Sequence, residues 1–229
     1  MIFFCGDTHG RFEHVIRAVR QHRPDAIVLL GDIQAPKPLD EVLAEILDLT
    51  EVWYIHGNHD TDSFYDYTHL FESKLADRNL HGRVVEIAGK RIAGLGGIFR
   101  GQIWMPPAHP NYPSQAHYLA HCGQSNYWRG GLPRKHRSTI FYTDYQKLGL
   151  EQADILVTHE APSCHPYGFH ALDQLAHKLG VQKTFHGHQH DCIDYRGHDL
   201  RLGFQAYGVT LRGITDENGN IIDAGILPD

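Results

Sequence analysis

Five times along this chain a short apolar run of strand-forming residues stops on a small polar motif, and that recurrence limits the fold more than any other feature. Ile2-Phe3-Phe4-Cys5 leads into Gly6-Asp7-Thr8-His9-Gly10, Ala26-Ile27-Val28-Leu29-Leu30 into Gly31-Asp32, and Val52-Trp53-Tyr54-Ile55 towards Gly57-Asn58-His59-Asp60. Further on, Ile155-Leu156-Val157 leads into Thr158-His159, and Lys183-Thr184-Phe185 towards Gly187-His188-Gln189-His190. Runs of this composition bounded by turn residues read as strands. In an open α/β sheet, ligands bind in the crevice beyond the carboxyl ends of the strands. The polar tips of all these strands are therefore expected in one place.

Between the first three runs the apolar spacing changes from strand to helix. Phe12, Val15, Ile16 and Val19 share one helical face within Arg11 to His22, and Pro24 marks the end. Leu39, Val42, Leu43, Ile46 and Leu47 repeat the pattern across Leu39 to Leu49, with Asp40-Glu41 placed to favour a helix N-terminus. The resulting β-α-β-α-β order winds right-handedly into a parallel sheet. Val84 to Ala88, Gly89-Lys90 and Arg91 to Leu95 read as a β-hairpin, and Asn218-Gly219 between Leu211 to Ile214 and Ile221-Ile222 as another. Such hairpins predict a second sheet.

With 229 residues and 41% hydrophobic content, the chain is long enough to bury a full core, and residues 1–229 read as a single domain. No leader and no apolar run of spanning length is evident, which predicts a soluble chain with no membrane partner. Cys5, Cys122, Cys164 and Cys192 lack CxxC spacing and suit buried thiols in a reducing compartment, the cytoplasm, rather than disulfides or a zinc clamp.

The motifs offer carboxylate oxygen, imidazole nitrogen and an amide oxygen without thiolate, a donor set for manganese, iron, zinc, cobalt or magnesium. Taken singly, each has an ordinary structural reading: Asp7 with His9 as a helix cap, Gly31-Asp32 as a turn, Gly57-Asn58 as a tight turn using positive φ. Five in fixed order, each on a strand end, do not reduce to that. His56 and His186 flank motifs and read as hydrogen-bond partners or core residues, outside the site.

The order aspartate-x-histidine, Gly-Asp, Asn-His-Asp, histidine, Gly-His-x-His resembles the calcineurin-like metallophosphoesterase family over residues 6–190. The resemblance implies an α/β fold in which a two-sheet β-sandwich is flanked by helices. It implies that Asp7, His9 and His190 hold one divalent ion, that Asn58, His159 and His188 hold another, and that Asp32 bridges them. Manganese is the expected metal. It further implies hydrolysis of a phosphomonoester or phosphodiester by a shared metal-bridging water, with His59 assisting the leaving group or the transition state and Asp60 as its orienting partner. Asp32-Ile33-Gln34-Ala35-Pro36 lacks the arginine, and Asp60 replaces the glutamate, of the Ser/Thr phosphoprotein phosphatase branch. That disfavours the branch and its diadenosine tetraphosphatases, leaving the bacterial-type members. A non-catalytic scaffold of the same fold tends to lose ligands or the Asn-His pair, and both are retained here.

Charge is unevenly divided. Ile87 to Thr143 contains no acidic residue and carries +7 from Lys90, Arg91, Arg100, Arg129, Arg134, Lys135 and Arg137, while the remainder is −13. Within it, an insertion at about 98–147 interleaves Trp104, Tyr112, Tyr118, Tyr127 and Trp128 with proline and glycine, and reads as a long loop of little regular structure over the metals. Its basic residues, Arg129 and Arg134 foremost, are expected to meet substrate phosphate. A small phosphoester is the expected partner, and the alternative is a nuclease or nucleic-acid end-processing phosphatase that stacks bases on the insertion.

Overall fold

The structure, a computed structural model, describes residues 1–226. The chain alternates short strands and helices: β1 (Ile2–Cys5), α1 (Glu13–His22), β2 (Ala26–Leu29), α2 (Leu39–Val42), β3 (Glu51–Tyr54), α3 (Phe64–Phe71), β4 (Arg83–Ile87) and β5 (Lys90–Leu95). It continues through α4 (Gln115–His121), α5 (Tyr142–Leu148), β6 (Ile155–Thr158), α6 (His170–Leu179), β7 (Lys183–His186), α7 (Asp199–Leu202), β8 (Gln205–Gly208), β9 (Ile214–Asp216) and β10 (Ile221–Asp223). Two five-stranded mixed sheets result, ordered β10-β9-β1-β2-β3 and β4-β5-β6-β7-β8. The expected α/β sandwich is therefore present, with parallel β1-β2-β3 in one sheet and parallel β5-β6-β7-β8 in the other.

Alternation along the strands explains the layering. Ile2, Phe4, Val28, Leu30 and Ile55 from the first sheet pack with Ile92, Ile155, Val157 and Phe185 from the second. Phe4 stacks on Phe185 with centroids 3.9 Å apart, a pairing worth about 0.5–1.5 kcal/mol beyond area burial. The intervening residues point the other way, so Phe3, Cys5, Ile27 and Leu29 meet Val15 and Val19 of α1. On the far side, Ala93, Leu95 and Leu156 meet Leu172, Leu175 and Leu179 of α6.

Four sequence expectations are revised. The hairpin at Asn218-Gly219 does not enter the second sheet, because β9 pairs antiparallel with β1 and extends the first. The helix expected over Leu39 to Leu49 stops at Val42, after which Ile46 and Leu49 bond to Leu43 and Ile46 in three-residue turns. Leu39, Leu43 and Ile46 are buried all the same, so the apolar face persists while the helix does not. The insertion is not a bare loop: it carries α4 and α5 and buries Phe99, Ile103, Trp104, Tyr118, Leu132 and Ile140 in the core beside the second sheet. All four cysteines are free, but only Cys5 and Cys164 are buried, Cys122 being half-buried and Cys192 exposed. Among the described residues no helix is long and apolar enough to cross a membrane.

Candidate metal centre

The carboxyl ends of β1, β2 and β3 from one sheet and of β6 and β7 from the other converge, and the motif residues meet there. Asp7, just beyond β1, has Oδ2 2.8 Å from Nε2 of His190, in the loop after β7. His9 brings its Nε2 to 3.3 Å from the same His190 nitrogen. Beside them Asp32, beyond β2, has Oδ2 3.3 Å from Nε2 of His159, which follows β6. Asp7, His9 and His190 form one group of ligand atoms within 4.8 Å of one another, and Asp32, His159 and His188 form a second. Asn58 Oδ1 lies 3.3 Å from His159 Nε2. The groups adjoin, with His159 Nδ1 4.0 Å from Asp7 Oδ1.

Surrounding backbone fixes the rings. His159 Nδ1–H donates to the Leu30 carbonyl at 2.8 Å, which turns Nε2 towards the donors. His9 Nδ1 is held by Gln34 Oε1 at 2.6 Å in the same way. Asp7 accepts the His188 N–H at 2.9 Å and Asp32 accepts the His59 N–H at 2.8 Å. His9, Asp32, His188 and His190 all have positive φ, between 41° and 70°. Left-handed backbone at non-glycine residues concentrates where surrounding structure holds a functional geometry against strain.

Gly31 lets these loops approach. Its φ is +100°, and a Cβ there would lie 2.4 Å from His159 Nδ1 and 2.8 Å from the Gly57 nitrogen. Gly31→Ala is expected to cost roughly 1–3 kcal/mol and to lower the thermal midpoint by several degrees. An unchanged melting curve would show that the loops are not packed as described.

Asp7 and Asp32 are both buried among imidazoles. Burial opposes ionisation of Asp32 and His159 alike, yet their mutual attraction outweighs it, holding the carboxylate well below its usual range and raising the imidazole to about 10. The buried carboxylates that favour a proton on His159 would equally favour a metal cation in its place, with the ring then neutral. Burial pushes His188 the other way, to about 4, which keeps its ring neutral as a ligand must be.

His59 stands at the rim, its ring centroid 5.6 Å from that of His9. Its Nδ1–H donates to Asp62 Oδ2 at 2.5 Å, so Asp62 and not Asp60 is its orienting partner. Partial burial works against protonation of His59, but the Asp62 bond and the charges of Asp32, Asp62 and Asp60 prevail and raise its pKa. Asp60 faces inward, where it accepts the N–H groups of Ile33, Gln34 and Gly57, each at 2.8 Å. Burial and the neighbouring Asp32 charge push it up to about 7, against those bonds. It ties the second and third motifs together.

The two arginines expected at substrate are engaged by the protein. Arg129 pairs with Glu72 and lies over the rings of Phe64, Tyr67 and Trp128. Arg134 donates to the carbonyls of Thr61 at 2.9 Å and Asp62 at 2.7 Å, clamping the turn that carries His59. Another basic residue of the insertion, weighed in the sequence only for its charge, is Arg100. It is half-buried, with Nε donating to Thr139 Oγ1 at 3.1 Å, and although burial lowers its pKa, the charges of Asp62, Glu160 and Asp32 act on it in the opposite direction. Glu160, next to His159, accepts the Phe99 N–H at 3.1 Å and ties the insertion to the centre. Gln34, Arg100 and Glu160 escape sequence reasoning because each acts through tertiary contact, and Asp62 because it reaches His59 only through the short helical turn between them. Only Glu160 had a signal, as an acidic residue directly after a ligand candidate.

A family model described as calcineurin-like phosphoesterase matches residues 1–192 of this chain. The chain belongs to that family. An uncharacterized protein of Haemophilus influenzae is 41% identical over 222 residues, covering 97% of this chain and 96% of the relative. The crystal structure of TT1561 of Thermus thermophilus shares the fold, with TM-score 0.54 and 15% identity over 93% of each chain. Another solved chain aligns over 96% of both at TM-score 0.55 and 12% identity. The calcineurin-like phosphoesterase family implies a dinuclear divalent metal centre, and the two adjoining His/Asp groups fit one by donor chemistry and by their demand for positive charge.

Proposed function

We propose that this phosphoesterase is a dinuclear hydrolase of small phosphomonoesters or phosphodiesters. The observation that carries the reading is the meeting of two His/Asp groups from two sheets, 4.0 Å apart between His159 and Asp7, with an Asp-oriented histidine at their rim. Asp7, His9 and His190 would hold one ion, Asn58, His159 and His188 the other, with Asp32 shared; manganese suits the donor set. When bound, such a pair lowers the pKa of water and clamps phosphoryl oxygens through an in-line displacement. His59, kept protonated by Asp62, gives its proton to the departing oxygen. Arg100 offers its guanidinium to phosphoryl oxygens.

A small substrate is favoured over a nucleic acid because the aromatic residues of the insertion are used internally. Trp104 and Tyr118 are buried, and Trp128 is packed against Tyr67 and Arg137. That leaves no row of exposed rings for successive bases.

Arg100→Ala should lower kcat/KM roughly 10–100-fold, the worth of a charge-assisted hydrogen bond. Unchanged steady-state kinetics would remove Arg100 from the site. The reading as a whole is tested by hydrolysis of p-nitrophenyl phosphate and bis-p-nitrophenyl phosphate with manganese, wild type beside His190→Ala. Turnover that the variant loses supports it, and equal turnover in both would sink it.

A further inference from the structure

The guanidinium of Arg134 is aimed at two consecutive backbone carbonyls, with Nε donating to Thr61 at 2.9 Å and Nη2 to Asp62 at 2.7 Å. These carbonyls close the short helical turn at His59–Thr61. A cation there meets carbonyls at the negative end of the turn, and the planar fork reaches both acceptors at once. Asp62 is also the residue whose carboxylate holds the His59 ring. Arg134 therefore grips the backbone of the residue that grips the ring.

The pair needs that support. The His59 ring is 45% exposed and the Asp62 carboxylate 55%. Exposed ion pairs gain little against the freedom of their two side chains. The turn itself is three residues long, a type with poor hydrogen-bond geometry, and the Asp62 N–H reaches the His59 carbonyl at 3.2 Å. The direction of the ring thus depends on backbone held from outside.

The insertion supplies the hold. Thr61 Oγ1 and Ser138 Oγ are 2.7 Å apart, and neither residue is more than 3% exposed. Ser138 and Arg134 lie at the two ends of one helical turn, Arg134–Ser138. The Ser138 carbonyl accepts the Ile98 N–H at 3.0 Å, and the Ile140 N–H donates to the Ile98 carbonyl at 3.0 Å, just beyond the end of β5. Gly97 permits this approach, since its φ is +82° and a Cβ there would lie 2.5 Å from the Ser138 carbonyl oxygen. Within the same turn, buried His136 packs on Tyr118 of α4 with ring centroids 4.8 Å apart. A continuous path of bonds runs from β5 of the second sheet through Ser138 and Arg134 to the turn that follows β3 of the first.

We infer that Arg134 is a positioning residue for His59, and that the insertion acts on the reaction by bracing the His59–Asp62 pair through Arg134 and Ser138 rather than by touching substrate. The inference rests on the phosphoesterase reading and on the place of His59 within it.

The test is a double-mutant cycle on the manganese-loaded protein, with p-nitrophenyl phosphate and bis-p-nitrophenyl phosphate as substrates. Arg134→Gln should lower kcat roughly 10–100-fold, the scale of a small misplacement of a reacting group. KM and the thermal shift given by manganese should stay as in the wild type. In a His59→Ala background the same substitution should cost no more than about twofold, because it acts through a ring already gone. Arg134→Lys keeps the charge but not the fork, so it should be impaired like Arg134→Gln, and it carries the same cycle if the glutamine variant does not fold. Wild-type kcat in Arg134→Gln, an undiminished loss in the His59→Ala background, a lost manganese shift or full rescue by lysine would each overturn the inference. Hydrogen exchange of the Asp62 N–H supplies a readout that needs no substrate, and it should quicken about tenfold or more in Arg134→Gln. If the wild type cleaves neither ester, the phosphoesterase reading fails by itself, and this exchange alone decides the brace: quickening upholds it, and an unchanged rate overturns it.

Discussion

Asp32→Asn is expected to reduce phosphoester turnover by roughly 10³-fold or more, at least the loss seen when a transition-state donor is removed. The substitution is nearly isosteric, so the loops should keep their packing, and the introduced amide oxygen should still accept the His59 N–H now received by Asp32 Oδ1. What disappears is the charge that serves the second group of ligands while lying beside the first. Thermal melting supplies a readout independent of substrate. Manganese at about 100 times its Kd should stabilise the wild type by about 2.7 kcal/mol, or roughly 5–10 °C for a chain of this size. That gain should be lost on chelation and absent in Asp32→Asn. A variant stabilised by manganese as much as the wild type would show that Asp32 is not a shared ligand.

His59→Ala separates catalysis from metal binding. His59 has a ring that is 45% exposed and bonded to Asp62, and only its backbone N–H touches the Asp32 carboxylate. Metal content should therefore be retained while kcat falls roughly 10²–10⁴-fold, the range of general acid catalysis. Asp62→Asn should give a smaller loss of the same kind, because the ring loses its orienting partner and the negative charge that favours its protonated form. Loss that is greatest for substrates with poor leaving groups would identify proton donation to the departing oxygen. Equal loss for all leaving groups would place His59 on the phosphoryl oxygens instead, and a wild-type rate would remove it from the mechanism.

Much of the centre is legible in the sequence because strand ends are local. An apolar run followed by glycine and a polar residue says where a ligand leaves the sheet, and Asp7, Asp32, Asn58, His159 and His188 each sit on such an end. The partition into two groups, with Asn58 in the second and Asp32 shared, came from resemblance; in the structure Asp7, His9 and His190 cluster together and Asp32 lies with His159 and His188. Sequence spacing misassigned what depends on distant contacts. Asp60 looked like the partner of His59 because it is adjacent, but the short helical turn at His59–Thr61 directs Asp60 into the core and brings Asp62 back to the ring. Arg129 looked free because its partners, Glu72 and Phe64, are far away in the chain. The basic insertion looked like a loop because its anchor residues, Phe99 to Trp104 and Ile140, have neither helical nor strand period and are buried only by meeting α5 and α6. The hairpin at Asn218-Gly219 was recognised, yet its sheet was not, since the edge of β1 that receives it is a property of the assembled fold.

The most direct measurement is a crystal soaked in manganese and recorded at the manganese absorption edge. The account predicts two anomalous peaks about 3.5–4 Å apart, one among Asp7, His9 and His190 and one among Asn58, His159 and His188, with Asp32 touching both. A single peak, or ions bound away from these residues at saturating manganese, would contradict the dinuclear centre on which the proposed chemistry depends.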